Sequence, residues 1–243
     1  MNFFLSPEQN SIQQLAQQFA REHLQPFARE WDDQELFPVE VMRKAAELGF
    51  AGLFAEEVNG GCHLTRFDGA LIFEALARGC VATSAYLSIH NMVVGIIQRF
   101  GNSNQHQQWL TKLTNLSWLS SYCLTEPGAG SDSSSLKTRA EKDGDYYVLN
   151  GEKAFISGGG VSNLYLCMVR TGEAGPKGIS AILVEKGTPG LSFGKREEKM
   201  GWRSQPTTAV IFDNCRVPVE NRLGKEGDGF KIAMAGLDGG RIN

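Results

Sequence analysis

The groups best suited to grip a phosphate lie in one run: Tyr122, Cys123, Leu124, Thr125, Glu126, Pro127, Gly128, Ala129, Gly130, Ser131 and Asp132. Tyr122, Cys123 and Leu124 have strand composition. Pro127 has no backbone N–H and a fixed φ, so a strand cannot continue through it. Gly128 and Gly130 open backbone angles closed to other residues and remove side-chain bulk. A phosphate can then come close to main-chain N–H groups, as in other anion-binding nests. Thr125 and Ser131 place a hydroxyl at either end. Taken alone, such a loop reads first as an ordinary turn between strands. It is not a G-x-G-x-x-G fingerprint, and no βαβ pattern surrounds it.

A second run adds chemistry. Asn150-Gly151 sits between the strand-like segments 146–149 and 152–157, and that dipeptide predicts a two-residue hairpin. The outgoing arm carries Phe155, Ile156 and Ser157. Residues two apart on a strand share a face, so Phe155 and Ser157 would present a flat apolar ring beside a hydroxyl. That pair suits a planar, hydrogen-bonding ligand, and equally suits a half-buried strand. Near the end, Asp238-Gly239-Gly240-Arg241 puts an acid and a base on one helical face. Two glycines weaken that helix, and an exposed ion pair there would contribute little.

The elements that must position these groups change character along the chain. Ser6-Pro7-Glu8-Gln9 predicts a capped helix start. Ile12, Leu15, Ala16, Phe19 and Ala20 follow at helical spacing. Pro38 opens a second helix that Gly49 stops, and further helices are predicted over 66–77, 82–100 and 104–113. From Trp118 the period becomes alternating. Strands over 118–124, 136–141, 146–149, 152–157, 164–170, 179–185, 191–195 and 209–212 are separated by Gly, Pro and Asn turns, which predicts an antiparallel barrel or sandwich. Residues 228–243 turn helical again. The fold class is therefore α+β and multidomain: an all-α domain over 1–117, a β domain over 118–227 and the start of a second helical domain over 228–243.

Composition narrows the function. The chain has 243 residues, 42% of them hydrophobic, and a formal net charge of -3. No basic stripe marks a nucleic-acid surface. The most apolar helix is broken by His90, Asn91, Gln98 and Arg99, which argues against a bilayer span. The first twenty residues contain no Lys or Arg, unlike a signal or Arg-rich transit peptide. Five scattered cysteines without C-x-x-C spacing point to reduced thiols, and four histidines show no metal-ligand spacing.

Together, Tyr122-x-x-Thr125-Glu126-Pro127-x-x-Gly130-Ser131, Asn150-Gly151 and Phe155-x-Ser157 resemble the flavin-binding signature of the acyl-CoA dehydrogenase family. Runs 37–53, 175–193, 199–208 and 217–243 extend the resemblance along the whole chain. Cys62 and His63 depart from the small residues usual after the double glycine. Many relatives carry Trp and Thr where this chain has Phe155 and Ser157.

The resemblance implies FAD as cofactor and α,β-dehydrogenation of a short branched-chain acyl-CoA. Tyr122 through Ser131 and Phe155 through Ser157 would bind FAD. Thr125 would meet the pyrimidine side of the flavin, Ser157 would lie near N5, and Phe155 would pack on the ring. Ser131 with Asp238, Gly239, Gly240 and Arg241 would contact the CoA substrate, and residues 88–94 would wall the acyl pocket. An electron-transfer flavoprotein would be the partner and a homotetramer the assembly. The mitochondrial matrix would be the location in a eukaryote, the cytoplasm otherwise. No catalytic residue is assigned: the family's glutamate would lie beyond Asn243, in a third, helical domain. The chain on its own is therefore expected to be inactive and to hold FAD loosely or not at all. A non-catalytic binding fragment and an oxidase of the same superfamily stay open as alternatives.

Overall fold

The computed structural model describes residues 4–242. The expected capping box forms: the Gln9 N–H donates to Ser6 Oγ (3.2 Å), and the Ser6 N–H donates to the Gln9 side chain (3.0 Å). Helix α1 (Pro7–Phe19) buries Ala16 and Phe19 and runs on into a π-helical turn, Ala20–Leu24. A short α2 (Ala28–Asp33) follows. Six residues are too few to show a period, so the sequence gives no sign of it. Then come α3 (Val39–Glu47), α4 (Arg66–Gly79, capped by Thr65 and Asp68) and α5 (Val81–Phe100). The helix expected over 104–113 is α6 (Ser103–Gln105) and α7 (Thr111–Thr114), joined through a π-helical stretch, His106–Leu110.

The strands are β1 (Ser120–Cys123), β2 (Arg139–Asp143), β3 (Tyr146–Ser157), β4 (Leu164–Arg170), β5 (Ile179–Glu185), β6 (Leu191–Arg196), β7 (Thr207–Pro218) and β8 (Arg222–Leu223). Helix α8 (Gly229–Gly240) closes the described chain. Asn243, in the helical stretch expected at the end, lies outside the described residues. The sheet order is β6-β7-β3-β2-β4-β5-β8, with β1 also on β4. Among the described residues no crossover helix links the strands.

Two expectations need correction. The sheet is mixed, not wholly antiparallel. Strand β1 runs parallel to β4 from Ser120 opposite Leu164 to Cys123 opposite Cys167, and Arg139 of β2 makes a parallel bridge to Arg170. Strands β1 and β2 thus lie in succession along one edge of β4, as a single strand interrupted by residues 124–138. A period of two cannot tell parallel from antiparallel pairing. The continuous apolar runs of β4 and β5 do show burial on both faces. Leu164, Leu166 and Met168 pack with Ile232 and Ala233 of α8, whereas Tyr165, Cys167 and Val169 face the interior of the curled sheet with Phe212 and Val217.

The second correction concerns Asn150-Gly151, which does not turn the chain. Strand β3 passes straight through it while pairing with β7, with a register shift between Leu149 and Gly151. The hairpin turn lies at Gly144 (φ +59°), between β2 and β3. Gly151 is needed because the chain crosses it closely: its φ is +141°, and a Cβ there would stand 2.7 Å from Thr138 Cα. Asn150 Oδ1 accepts the Asn214 N–H at 2.8 Å. A bulge and a hairpin turn both favour a flexible dipeptide between strand-like segments. Gly151→Ala is expected to cost about 1–3 kcal/mol of stability, read as a lower urea midpoint. An unchanged midpoint would contradict the close crossing.

Candidate functional site

The excursion between β1 and β2 begins with a tight turn. Glu126 N–H donates to Ala129 O and Ala129 N–H donates to Glu126 O, both at 3.1 Å. Pro127, Gly128 and Gly130 are exposed, and Ala129 is buried. Neither Gly128 nor Gly130 has φ in the left-handed region, so the expected demand for special backbone angles is absent. A Cβ at either position would meet nothing within 4 Å. These glycines leave the main chain uncovered and open to a ligand.

Beneath this loop lies a buried ion pair. Lys153 Nζ donates to Glu126 Oε1 at 2.7 Å and to Leu124 O at 3.3 Å. The Glu126 carboxylate also accepts the Lys137 N–H (2.6 Å) and the Thr138 N–H (2.9 Å). Lys153 is fully buried, and the Glu126 side chain is 7% exposed. Burial alone would raise the Glu126 carboxyl. The Lys153 ammonium and the hydrogen bonds from Thr138 and Lys137 outweigh it and hold the group below its usual 4.5. Glu126 therefore faces inward, away from the loop's open side.

Strand β3 bulges at the same place. Lys153 pairs with Val210 and Ile156 with Thr208, so three steps on β3 match two on β7. The extra residue leaves Phe155 at φ +59° and 64% exposed. Here the two-residue alternation expected for Phe155 and Ser157 breaks, and Phe155, Ile156 and Ser157 in succession line one cavity of about 250 Å³. Its other walls are Tyr122, Leu124 and Thr125, Ile89 and Met92 of α5, and Leu237 of α8. Residues 88–94 were expected as pocket walls, and two of them lie there. The Tyr122 hydroxyl donates to Ala233 O at 3.4 Å, tying β1 to α8. Cys123 points the other way, into the sheet interior.

A second cavity of about 340 Å³ adjoins the first and shares Leu124, Thr125 and Leu237 with it. Ser131, Asp132 and Arg241 bring it polar groups, and Phe230 and Met234 supply apolar walls. The Asp132 carboxylate accepts hydrogen bonds from the Ser134 and Ser135 hydroxyls, which hold it below the usual carboxylate range. Of the four residues expected to contact substrate on the last helix, Arg241 lines this cavity. Asp238 is exposed outside it, Gly239 packs on the Arg66 guanidinium, and Gly240 faces a groove between α4 and α5. The hydroxyls of Thr125, Ser131 and Ser157 make no hydrogen bond to any described residue.

Sequence reasoning missed Phe230, Met234 and Leu237, although their i, i+4, i+7 spacing is the signal of one helical face. It also missed Lys153, whose only sign was a cation in a strand otherwise destined for burial.

His90 anchors the α5 wall. Its Nε2–H donates to Leu113 O (3.0 Å), and Nδ1 accepts from the Ser120 N–H (3.2 Å) and hydroxyl (2.9 Å). Burial pushes its pKa down to about 4. The fold favours neutral His90, so this contribution to stability is complete above pH 6.5 and is lost as pH falls toward 4. The Glu126 contribution is also present above pH 4.5 and is lost below it. Urea unfolding between pH 7 and 4 should show declining stability, and His90→Asn should flatten that decline. An equal slope in the variant would contradict the assignment.

The chain belongs to the acyl-CoA dehydrogenase family. Residues 6–117 match the family's N-terminal domain and residues 121–215 its middle domain. Among individual proteins, the chain is 58% identical over 240 residues to a mitochondrial isobutyryl-CoA dehydrogenase of Dictyostelium discoideum, covering 98% of this chain and 58% of that one. It is 58% identical over 239 residues to the Bos taurus enzyme of the same name, with the same coverage. Among solved structures, butyryl-CoA dehydrogenase of Megasphaera elsdenii superimposes with a TM-score of 0.94 at 37% identity, covering 99% of this chain and 64% of that one. The chain thus spans 58% of the length of the curated relatives described.

Proposed function

We propose that these residues form the flavin and acyl-CoA site of an FAD-dependent dehydrogenase that oxidises a short branched-chain acyl-CoA, with isobutyryl-CoA as the substrate. The observation that carries this reading is the pair of adjoining cavities, which place three unpartnered hydroxyls and an exposed aromatic ring along one path. FAD, when bound, supplies acceptance of hydride from the β-carbon. Thr125, Phe155 and Ser157 would hold its ring system. The exposed main chain of Gly128 and Gly130 would lie along the pyrophosphate.

The chain's own groups do three things in this account. The Thr125 and Ser157 hydroxyls offer hydrogen bonds inside an otherwise apolar pocket, where such bonds fix orientation. Ser131 and Arg241 meet the polar part of the CoA. Ile89, Met92, Tyr122, Leu124 and Leu237 surround a small apolar group and exclude water from it. Each buried methylene is worth about 0.8 kcal/mol, so these walls favour a small branched acyl group.

The base that takes the α-proton is assigned to no residue of this chain. Among the described residues the first cavity is lined by no carboxylate, Asp132 in the second is held by two serines, and Glu126 is locked to Lys153. The base, the electron-transfer flavoprotein and the tetramer belong to this proposal for the whole protein. The mitochondrial matrix belongs to it as well, supported by the names of the curated relatives. Among the described residues no helix is long and apolar enough to cross a membrane.

The test is a flavin titration of this chain, and of the chain joined to the remaining part of a curated relative. Thr125→Ala and Ser157→Ala should each weaken FAD by about 5- to 150-fold, the loss expected for one buried hydrogen bond. Equal affinity in both variants and the parent would rule these roles out. In the joined protein, turnover should favour isobutyryl-CoA over long straight-chain acyl-CoA, and the reverse preference would refute the substrate.

A further inference from the structure

We infer that Glu126 and Lys153 are positioning residues, forming a latch that holds the β3 bulge and thereby sets Phe155 and Ser157 against the first cavity. The inference rests on the flavin reading for its purpose, but the latch itself is a matter of this chain's own geometry.

A bulky aromatic with φ near +60° is an outlier that persists only where its surroundings over-determine it. Four contacts do so here. Lys153, two residues before Phe155, is buried and bonded to Glu126 Oε1 and Leu124 O. The Ala154 N–H donates to Thr125 O at 2.8 Å. Ile156 is buried in the sheet interior, and Ser157 pairs with Thr207. The first two contacts tie the bulge to the loop, and the last two tie it to the sheet.

The carboxylate completes the connection. With its other bonds it gathers the Lys137 and Thr138 N–H groups. One ion pair therefore joins the start of the excursion, its return and the bulge. If Lys153 is released, Phe155 can relax toward extended backbone and the extra residue can be absorbed. A slip of one residue turns every later side chain to the opposite face, Ser157 included. The Thr125 and Ser157 hydroxyls, which must face one ligand together, would then separate.

The experiment uses the whole chain with Lys153→Met, and Glu126→Gln as a second variant should Lys153→Met not fold. Hydrogen exchange is followed at the Ala154 amide and at Leu166 and Ile182 in β4 and β5, and FAD affinity is titrated in parallel with the same substitutions in the chain joined to the remaining part of a curated relative. The latch predicts that Ala154 loses protection by about tenfold or more, the loss of a hydrogen bond worth roughly 1–3 kcal/mol. Leu166 and Ile182 should keep theirs, and FAD should weaken by a similar factor. Equal loss at all three amides would mean that the pair supports only global stability, and no loss at Ala154 would mean that it holds nothing; either overturns the inference. Ala154 loosening with unchanged FAD affinity would also overturn the positioning role. A joined protein that binds no FAD, with Ala154 loosening as predicted, would leave the latch standing and count against the flavin reading instead.

Discussion

A carboxylate and an ammonium share one dry site beneath the loop, and much of the structure follows from the need to keep them together. Removing one partner of such a pair costs about 3–5 kcal/mol, because the other is left charged and unpaired. Glu126 can stay ionised there only with Lys153 and two backbone N–H groups around it. That requirement brings the turn at residues 126–129, the return at 137–138 and the middle of β3 to one point. The exposed face of the loop is then free for other work, since none of its side chains is needed to hold it in place.

The sheet makes this arrangement possible. Because β1 and β2 lie in succession on one edge of β4, the chain can leave the sheet for fifteen residues, 124–138, and rejoin it without disturbing the ladder. Strands β4 and β5, buried on both faces, carry α5 and α8 on one side. Those helices supply the apolar walls of the cavity, and His90 and Tyr122 tie them to β1 through hydrogen bonds.

The layered fold was legible in the sequence because it rests on periods. The change near residue 118 from helical to alternating spacing coincides with the passage from α7 to β1. Caps such as Ser6 with Gln9 were legible too, since they need only neighbouring residues. What could not be read depends on contacts between distant segments. Gly151 resembles a turn glycine until Thr138 is seen crossing it. Lys153 resembles a surface lysine until Glu126 is seen opposite, 27 residues away in sequence. Phe155 and Ser157 were found by motif, but the bulge that aims them was hidden, because an extra residue in one strand shows only against its partner. Of the two reasons offered for the loop glycines, special backbone angle falls away and absence of side-chain bulk stands, since neither has φ in the left-handed region and the space beside each is open.

The central claim is that the loop and the bulge together form one side of a flavin site. A crystal structure of the protein with FAD tests it most directly. The account predicts the flavin ring in van der Waals contact with Phe155, hydrogen bonds to it from the Thr125 and Ser157 hydroxyls, and the pyrophosphate along residues 128–131. FAD bound elsewhere on the protein, with this loop and both hydroxyls untouched, would contradict it.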